Sequence, residues 1–171
     1  MQIVTASEMQ QMDRETIESF GLPGRVLMEN AGRGVVDFMV KTFPAIQSPG
    51  RGQRIGILAG RGNNGGDGFV IARYLSGMGA AVCVYLFSDR TAVKGDAAAN
   101  LALLDALKVP VVEIIDAAQL AQHEPGMCQQ RIWVDALLGT GLNAEVKGLF
   151  REDIELVNSL NLPVIAVDIP S

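Results

Sequence analysis

The densest chemical information in this chain lies in Gly60-Arg61-Gly62-Asn63-Asn64-Gly65-Gly66-Asp67-Gly68, where five of nine residues are glycine. The stretch follows the apolar run Ile55–Ala59 and precedes a helical pattern from Phe69 to Leu75. A strand that breaks into glycine and then starts a helix suits phosphate binding, because the first helical N–H groups have no internal partners. Two later segments carry polar residues in similar positions. Ile132-Trp133-Val134-Asp135 continues into Ala136-Leu137-Leu138-Gly139-Thr140-Gly141-Leu142, and Val164–Asp168 continues into Ile169-Pro170-Ser171. In an open parallel sheet, ligands bind beyond the carboxyl ends of the strands, where the strand order reverses. Asn64, Asp67, Asp135, Thr140, Asp168 and Ser171 are therefore expected at one sheet edge.

Other chemistries fit less well. Gly60-x-Gly62-x-x-Gly65 matches the dinucleotide fingerprint, and Asp89 near the end of the second strand could take a ribose, so an NAD-dependent oxidoreductase is an alternative. Asp67 would then crowd the pyrophosphate, and no hydride-transfer partner is evident. A Walker A loop is excluded, since no Gly-Lys-Ser/Thr follows. His123 is the only histidine and sits in a polar stretch. Acid–base work falls to carboxylates, with Asp135 and Asp168 as the candidates. Oxygen ligands without His or Cys suit a hard cation rather than zinc. Singly, each aspartate could be only a turn former or helix cap.

The elements that must position these residues follow from periodicity. Ser7-Glu8-Met9-Gln10 fits a capping box, and Met9, Met12, Thr16, Ile17 and Phe20 have helical spacing up to Gly21. Pro23 opens a second helix with Val26, Leu27, Ala31, Val35, Phe38 and Met39 on one face, closed by Pro44. A linker at residues 48–52 leads into alternating elements. Strands are expected at 54–59, 81–87, 111–115, 131–135 and 163–168, as near-continuous apolar runs. Helices are expected at 67–78, 93–108, 117–122 and 149–160. Ala97, Leu101, Leu104 and Lys108 fall in register on one of these, and Phe150, Ile154 and Val157 on the last. The fold class is α/β: a Rossmann-like three-layer sandwich, a mostly parallel sheet with helices on both faces, preceded by two N-terminal helices.

Composition sets the outer limits. The chain has 171 residues, 49% hydrophobic and 19% charged, with a net charge of −5. This argues for one folded domain and against a nucleic-acid role that needs a broad basic surface. Cys83 and Cys128 have no metal or disulfide spacing. No apolar run approaches the ~20 residues of a membrane span. A cytoplasmic protein with no membrane partner is the expectation.

Asn63-Asn64-Gly65-Gly66-Asp67-Gly68, Asp135-Ala-Leu-Leu-Gly-Thr-Gly-Leu142 and Asp168-Ile-Pro-Ser171 together resemble the NAD(P)H-hydrate epimerase family, also called the YjeF N-terminal domain. Leu27-Met28-Glu29-Asn30-Ala31-Gly32 is similar to that family's second-helix motif. The resemblance spans residues 1–171 as a single domain, and implies one truncated at its C-terminus, since the family domain continues past Asp-Ile-Pro-Ser. It implies an isomerase that interconverts the R and S forms of hydrated NADH and NADPH at C6 of the nicotinamide ring, and a homodimer. A functional partner dehydratase, fused in many parent chains, would consume the S form. By motif position, Asn64, Asp135 and Ser171 would hold potassium. Substrate contacts would come from Asn63, Asn64, Gly65, Gly66 and Asp67, from Gly139, Thr140, Gly141, Leu142, Asn143, Ala144 and Glu145, and from Asp168. Asp168 is the expected proton shuttle, and Asp135 serves mainly the cation. Lys147 could neutralise a phosphate, although a surface lysine is the plainer reading. The rival from another functional class is a non-catalytic dinucleotide-binding or interaction module of the same family.

Overall fold

A computed structural model describes residues 5–47, 53–140 and 145–171. Gly141, Leu142, Asn143 and Ala144, all expected substrate contacts, lie outside the described residues, as does the whole linker expected at 48–52. Two helices come first, α1 (Ala6–Glu18) and α2 (Gly24–Thr42). There follow β1 (Arg54–Ala59), α3 (Asn63–Gly77), β2 (Ala81–Leu86), α4 (Gly95–Ala106), β3 (Val111–Glu113), α5 (Ala117–Met127), β4 (Ile132–Ala136), α6 (Leu149–Ser159) and β5 (Val164–Ala166).

The five strands form one sheet in the order β3-β2-β1-β4-β5, parallel throughout. Order reverses between β1 and β4, so the exits of these two strands flank the switch point. One face carries a core of Met39, Ile57, Phe69, Leu75, Val84 and Leu104, drawn from the strands and α2, α3 and α4. The other packs Leu58, Tyr85, Trp133, Ile114, Met127 and Val157 under α5 and α6. Burial on both faces is why these strands read as unbroken apolar runs.

Several boundaries differ from those expected. The capping box at the start of α1 is Thr5–Glu8 rather than Ser7–Gln10. Thr5 N donates to Glu8 Oε2 at 2.7 Å, and Glu8 N donates to Thr5 Oγ1 at 3.3 Å. Both pairs fit the pattern, and the charged acceptor makes the stronger bond. On α2 the buried face is Met28, Gly32, Val36 and Met39, while Phe38 is exposed. Gly32 marks the α2–α3 crossing, where a Cβ would lie 2.7 Å from Val70 Cβ, a contact that hydrophobic counting misses. Lys108 lies beyond α4 with φ 57, so only Ala97, Leu101 and Leu104 of that stripe are buried. α5 runs on through Pro125, because Leu120 and Met127 on the same face anchor its last turns to the core. The edge strands β3 and β5 are short, three residues each.

Candidate functional site

The largest difference from expectation is where α3 begins. It starts at Asn63, so Asn63 to Gly68 form its first turns and only Gly60–Gly62 remain as a turn. Glycine disfavours helix by about 1 kcal/mol per residue, and packing overrides that preference here. Gly65, Gly66 and Gly68 are buried. A Cβ on Gly68 would stand 2.8 Å from Ala136 Cβ, and one on Gly66 2.6 Å from Met28 Cε. A Cβ on Gly65 would sit on top of the Gly60 carbonyl oxygen. These glycines bring the helix down onto the exits of β1 and β4. Gly65→Ala is therefore expected to destabilise the fold by about 3 kcal/mol or more. Chemical denaturation checks this, and a change below about 1 kcal/mol would contradict the packing.

Those exits interlock. Gly60 N donates to Ala136 O at 3.1 Å, and Val167 N donates to Asp135 O at 3.0 Å. Asn64, at the start of α3, donates from Nδ2 to Leu138 O at 2.6 Å. Its Oδ1 is buried and has no hydrogen-bond partner. Asp135, at the end of β4, is 6% exposed. Its Oδ1 accepts from Ser171 Oγ at 2.8 Å, and its Oδ2 accepts from Ser171 N at 2.8 Å. Ser171 Oγ in turn accepts from Leu138 N at 3.2 Å. Asp168 Oδ2 accepts from Thr140 N at 2.8 Å. A Cβ added to Gly139 would be 3.0 Å from that same Asp168 oxygen and 3.3 Å from Asn64 Cβ, so only a hydrogen fits between them. Of the six residues expected at one sheet edge, Asn64, Asp135, Thr140, Asp168 and Ser171 thus meet at these strand exits, and Asp67 lines the cleft beside them.

Beside this knot opens a cleft of about 1070 Å³, ample for a nucleotide. Arg61, Asn63, Asn64, Gly65, Asp67 and Asp168 line it, with Leu137 to Thr140 on the β4 exit. Phe87 and Phe150, ring centroids 6.2 Å apart, also line the cleft and offer an aromatic surface. Gly66 does not reach it: its N–H is bonded to Gly62 O at 3.0 Å, and its Cα faces Met28 and Ala97. Glu145 is exposed and pairs with Lys147 at 3.0 Å, which gives that lysine a surface partner. Asp89 accepts from Thr91 N at 2.7 Å and caps a 3-10 turn, so its carboxyl is engaged locally and is not among the cleft residues. His123 lies on α5 and does not line the cleft.

Sequence reasoning missed three features. Met9, Gln10 and Asp13 of α1 form part of the cleft wall. Asp67 titrates abnormally: burial first, and then the charges of Asp168 and Asp13, push its carboxyl up to about 7. Asp153 on α6 is fully buried, and burial followed by the charge of Asp135 pushes it up to about 8. The signal for Asp153 was present, since it falls three residues after Phe150 and four before Val157, on the helix's apolar stripe.

Among the described residues no helix is long and apolar enough to cross a membrane. Nor does any group of three or more His, Cys, Asp or Glu suited to a metal gather among them. The oxygen set at the strand exits is instead one amide, one carboxylate and one hydroxyl.

Comparison with known proteins agrees with this architecture. The crystal structure of yeast ynu0, YNL200c, superposes with a TM-score of 0.84 at 26% identity, covering 100% of this chain and 71% of that one. An NAD(P)H-hydrate epimerase of Pirellula staleyi is 36% identical over 94% of this chain and 67% of its own length. One of Rhodobacter capsulatus is 35% identical over 99% of this chain and 76% of its own. A bifunctional NAD(P)H-hydrate repair enzyme Nnr of Salinibacter ruber is 38% identical over 99% of this chain, which spans only 32% of that relative's length. The family model described as YjeF-related protein N-terminus matches residues 24–171. With that match running from α2 through the last strand exit, the chain belongs to the YjeF-related N-terminal family.

Proposed function

We propose that this chain is an NAD(P)H-hydrate epimerase, an isomerase of hydrated NADH and NADPH. The observation that carries the reading is the shared cleft at the β1, β4 and β5 exits, where carboxylates meet an uncapped helix start. The first N–H groups of α3, together with Arg61, suit the anionic part of a dinucleotide. Phe87 and Phe150 suit a flat ring.

Asn64, Asp135 and Ser171 fit potassium. Asn64 Oδ1 is a buried acceptor without a donor, and Ser171 Oγ has one donor and so keeps a lone pair. One carboxylate among neutral oxygens matches a hard monovalent ion better than zinc. When bound, the ion supplies a fixed positive charge that offsets Asp135 and favours an anionic substrate.

At C6 of the hydrated ring, a hydroxyl neighbours the ring nitrogen. Loss of that hydroxyl leaves an iminium stabilised by the nitrogen lone pair, and water returns on the other face. Asp168 holds one oxygen on Thr140 N and is a proton shuttle for the oxygen exchanged at C6. The epimerase works as a homodimer in the cytoplasm, and a dehydratase specific for the S form is its functional partner.

The test is to incubate the chain with stereopure R-hydrate of NADPH in potassium buffer and separate the epimers by chromatography. The S form is expected to grow far faster than in buffer alone. Tight binding without interconversion would replace this reading with the binding module. In a companion calorimetric melt, the hydrate is expected to raise Tm more in potassium than in sodium.

A further inference from the structure

We propose that Asp67 is the proton donor of the reaction, delivering its proton to the departing C6 hydroxyl while Asp168 deprotonates the incoming water. The inference rests on the epimerase reading and adds a second catalytic group to it. Epimerisation through loss and return of water needs proton traffic on both faces of the ring. A single carboxyl cannot serve both faces without the ring turning over. The cleft presents two carboxyls from separate elements, Asp67 from α3 and Asp168 from the exit of β5.

Their surroundings differ in the way the division of labour requires. Asp168 accepts a backbone N–H from Thr140. Asp67 owes its perturbation to burial and to neighbouring negative charge, with no hydrogen-bond donor contributing. The groups facing it are Asp168 beyond β5 and Asp13 on α1, and Arg61 lines the same cleft from the turn before α3. On α2, Glu29 is occupied by Arg73 and Tyr74, and Arg33 lies over the Tyr74 ring. None of these neutralises Asp67 directly, so its neutral form is favoured up to about pH 7.

The step balances. The C6–O bond breaks as its oxygen takes the Asp67 proton and leaves as water, and the ring nitrogen lone pair forms the C=N bond of the iminium. Water then adds through oxygen to the other face of C6. The π pair returns to nitrogen, and the proton of the added water passes to the Asp168 carboxylate. Solvent in the open cleft carries that proton back to Asp67.

The experiment measures kcat and KM from pH 5 to 9 with stereopure R-hydrate for wild type, Asp67→Asn and Asp67→Glu, with melting curves to establish folding. Wild-type kcat is expected to fall on the basic side with a midpoint near the Asp67 value of about 7. Asp67→Asn should lower kcat about 100-fold or more and abolish that basic limb, with KM within a few-fold, and Asp67→Glu should recover part of both. If the asparagine variant melts as an unfolded chain, a shifted basic limb in Asp67→Glu supports the proposal and an unshifted one overturns it. An Asp67→Asn enzyme that keeps kcat and the basic limb, or that loses activity only through KM, overturns the donor role and leaves the epimerase intact. A wild type without turnover overturns both.

Discussion

In an Asp168→Asn variant, kcat for interconversion of the hydrates is expected to fall about 1000-fold, within the range of general acid–base catalysis. Affinity for the hydrate should stay within a few-fold. Asparagine keeps an acceptor oxygen for Thr140 N, now 2.8 Å from Asp168 Oδ2, so the Gly139–Thr140 turn keeps its anchor. It also adds no bulk beside Gly139, where the spacing is tight. What it loses is the ability to take up a proton. Single-turnover kinetics and isothermal titration separate the two effects. An active Asp168→Asn enzyme would refute the shuttle, and equal loss of binding and turnover would reduce Asp168 to a scaffold residue.

The second large effect concerns stability. Asp153 is 0% exposed, and neither carboxyl oxygen has a hydrogen-bond partner. Trp133 Nε1, in the core on the same side of the sheet, is unpartnered as well. Burial and the nearby Asp135 raise the Asp153 carboxyl to about 8. The sign follows from linkage: folding favours the protonated acid, so its contribution is complete below the unfolded value of about 4 and is lost as pH rises toward 8. A shift of this size corresponds to on the order of 5 kcal/mol of lost stability above the folded value. Asp153→Asn imitates the neutral acid. It should melt with the wild type near pH 4 and about 10 °C above it at pH 9. Equal Tm differences across that range would show that Asp153 does not titrate on unfolding.

What the sequence disclosed, and what it hid, follow the same physics. Strands buried on both faces read as apolar runs, so β1, β2 and β4 were legible almost to the residue. The switch point between β1 and β4 follows from the alternation of strands and helices, and with it the meeting of Asn64, Asp135, Asp168 and Ser171. The start of α3 was hidden because Gly65, Gly66 and Gly68 read as a loop, whereas their burial against β1, β4 and α2 makes them helical. The part played by α1 was hidden for the opposite reason. Its spacing suggested an ordinary amphipathic helix, yet Met9 and Met12 remain 42% and 52% exposed, and Met9 with Asp13 faces the cleft. Asp67 was visible as a residue, but its protonation depends on burial and on Asp13 and Asp168, neither of which is near it in sequence.

Diffraction from crystals of the chain grown with hydrated NADPH in potassium tests the central claim most directly. C6 should lie between the Asp67 and Asp168 carboxyls, its hydroxyl within hydrogen-bond reach of one of them, with the ring against Phe87 or Phe150 and a cation on Asn64, Asp135 and Ser171. Density for the dinucleotide elsewhere on the surface, or with its nicotinamide end turned away from both aspartates, would contradict it.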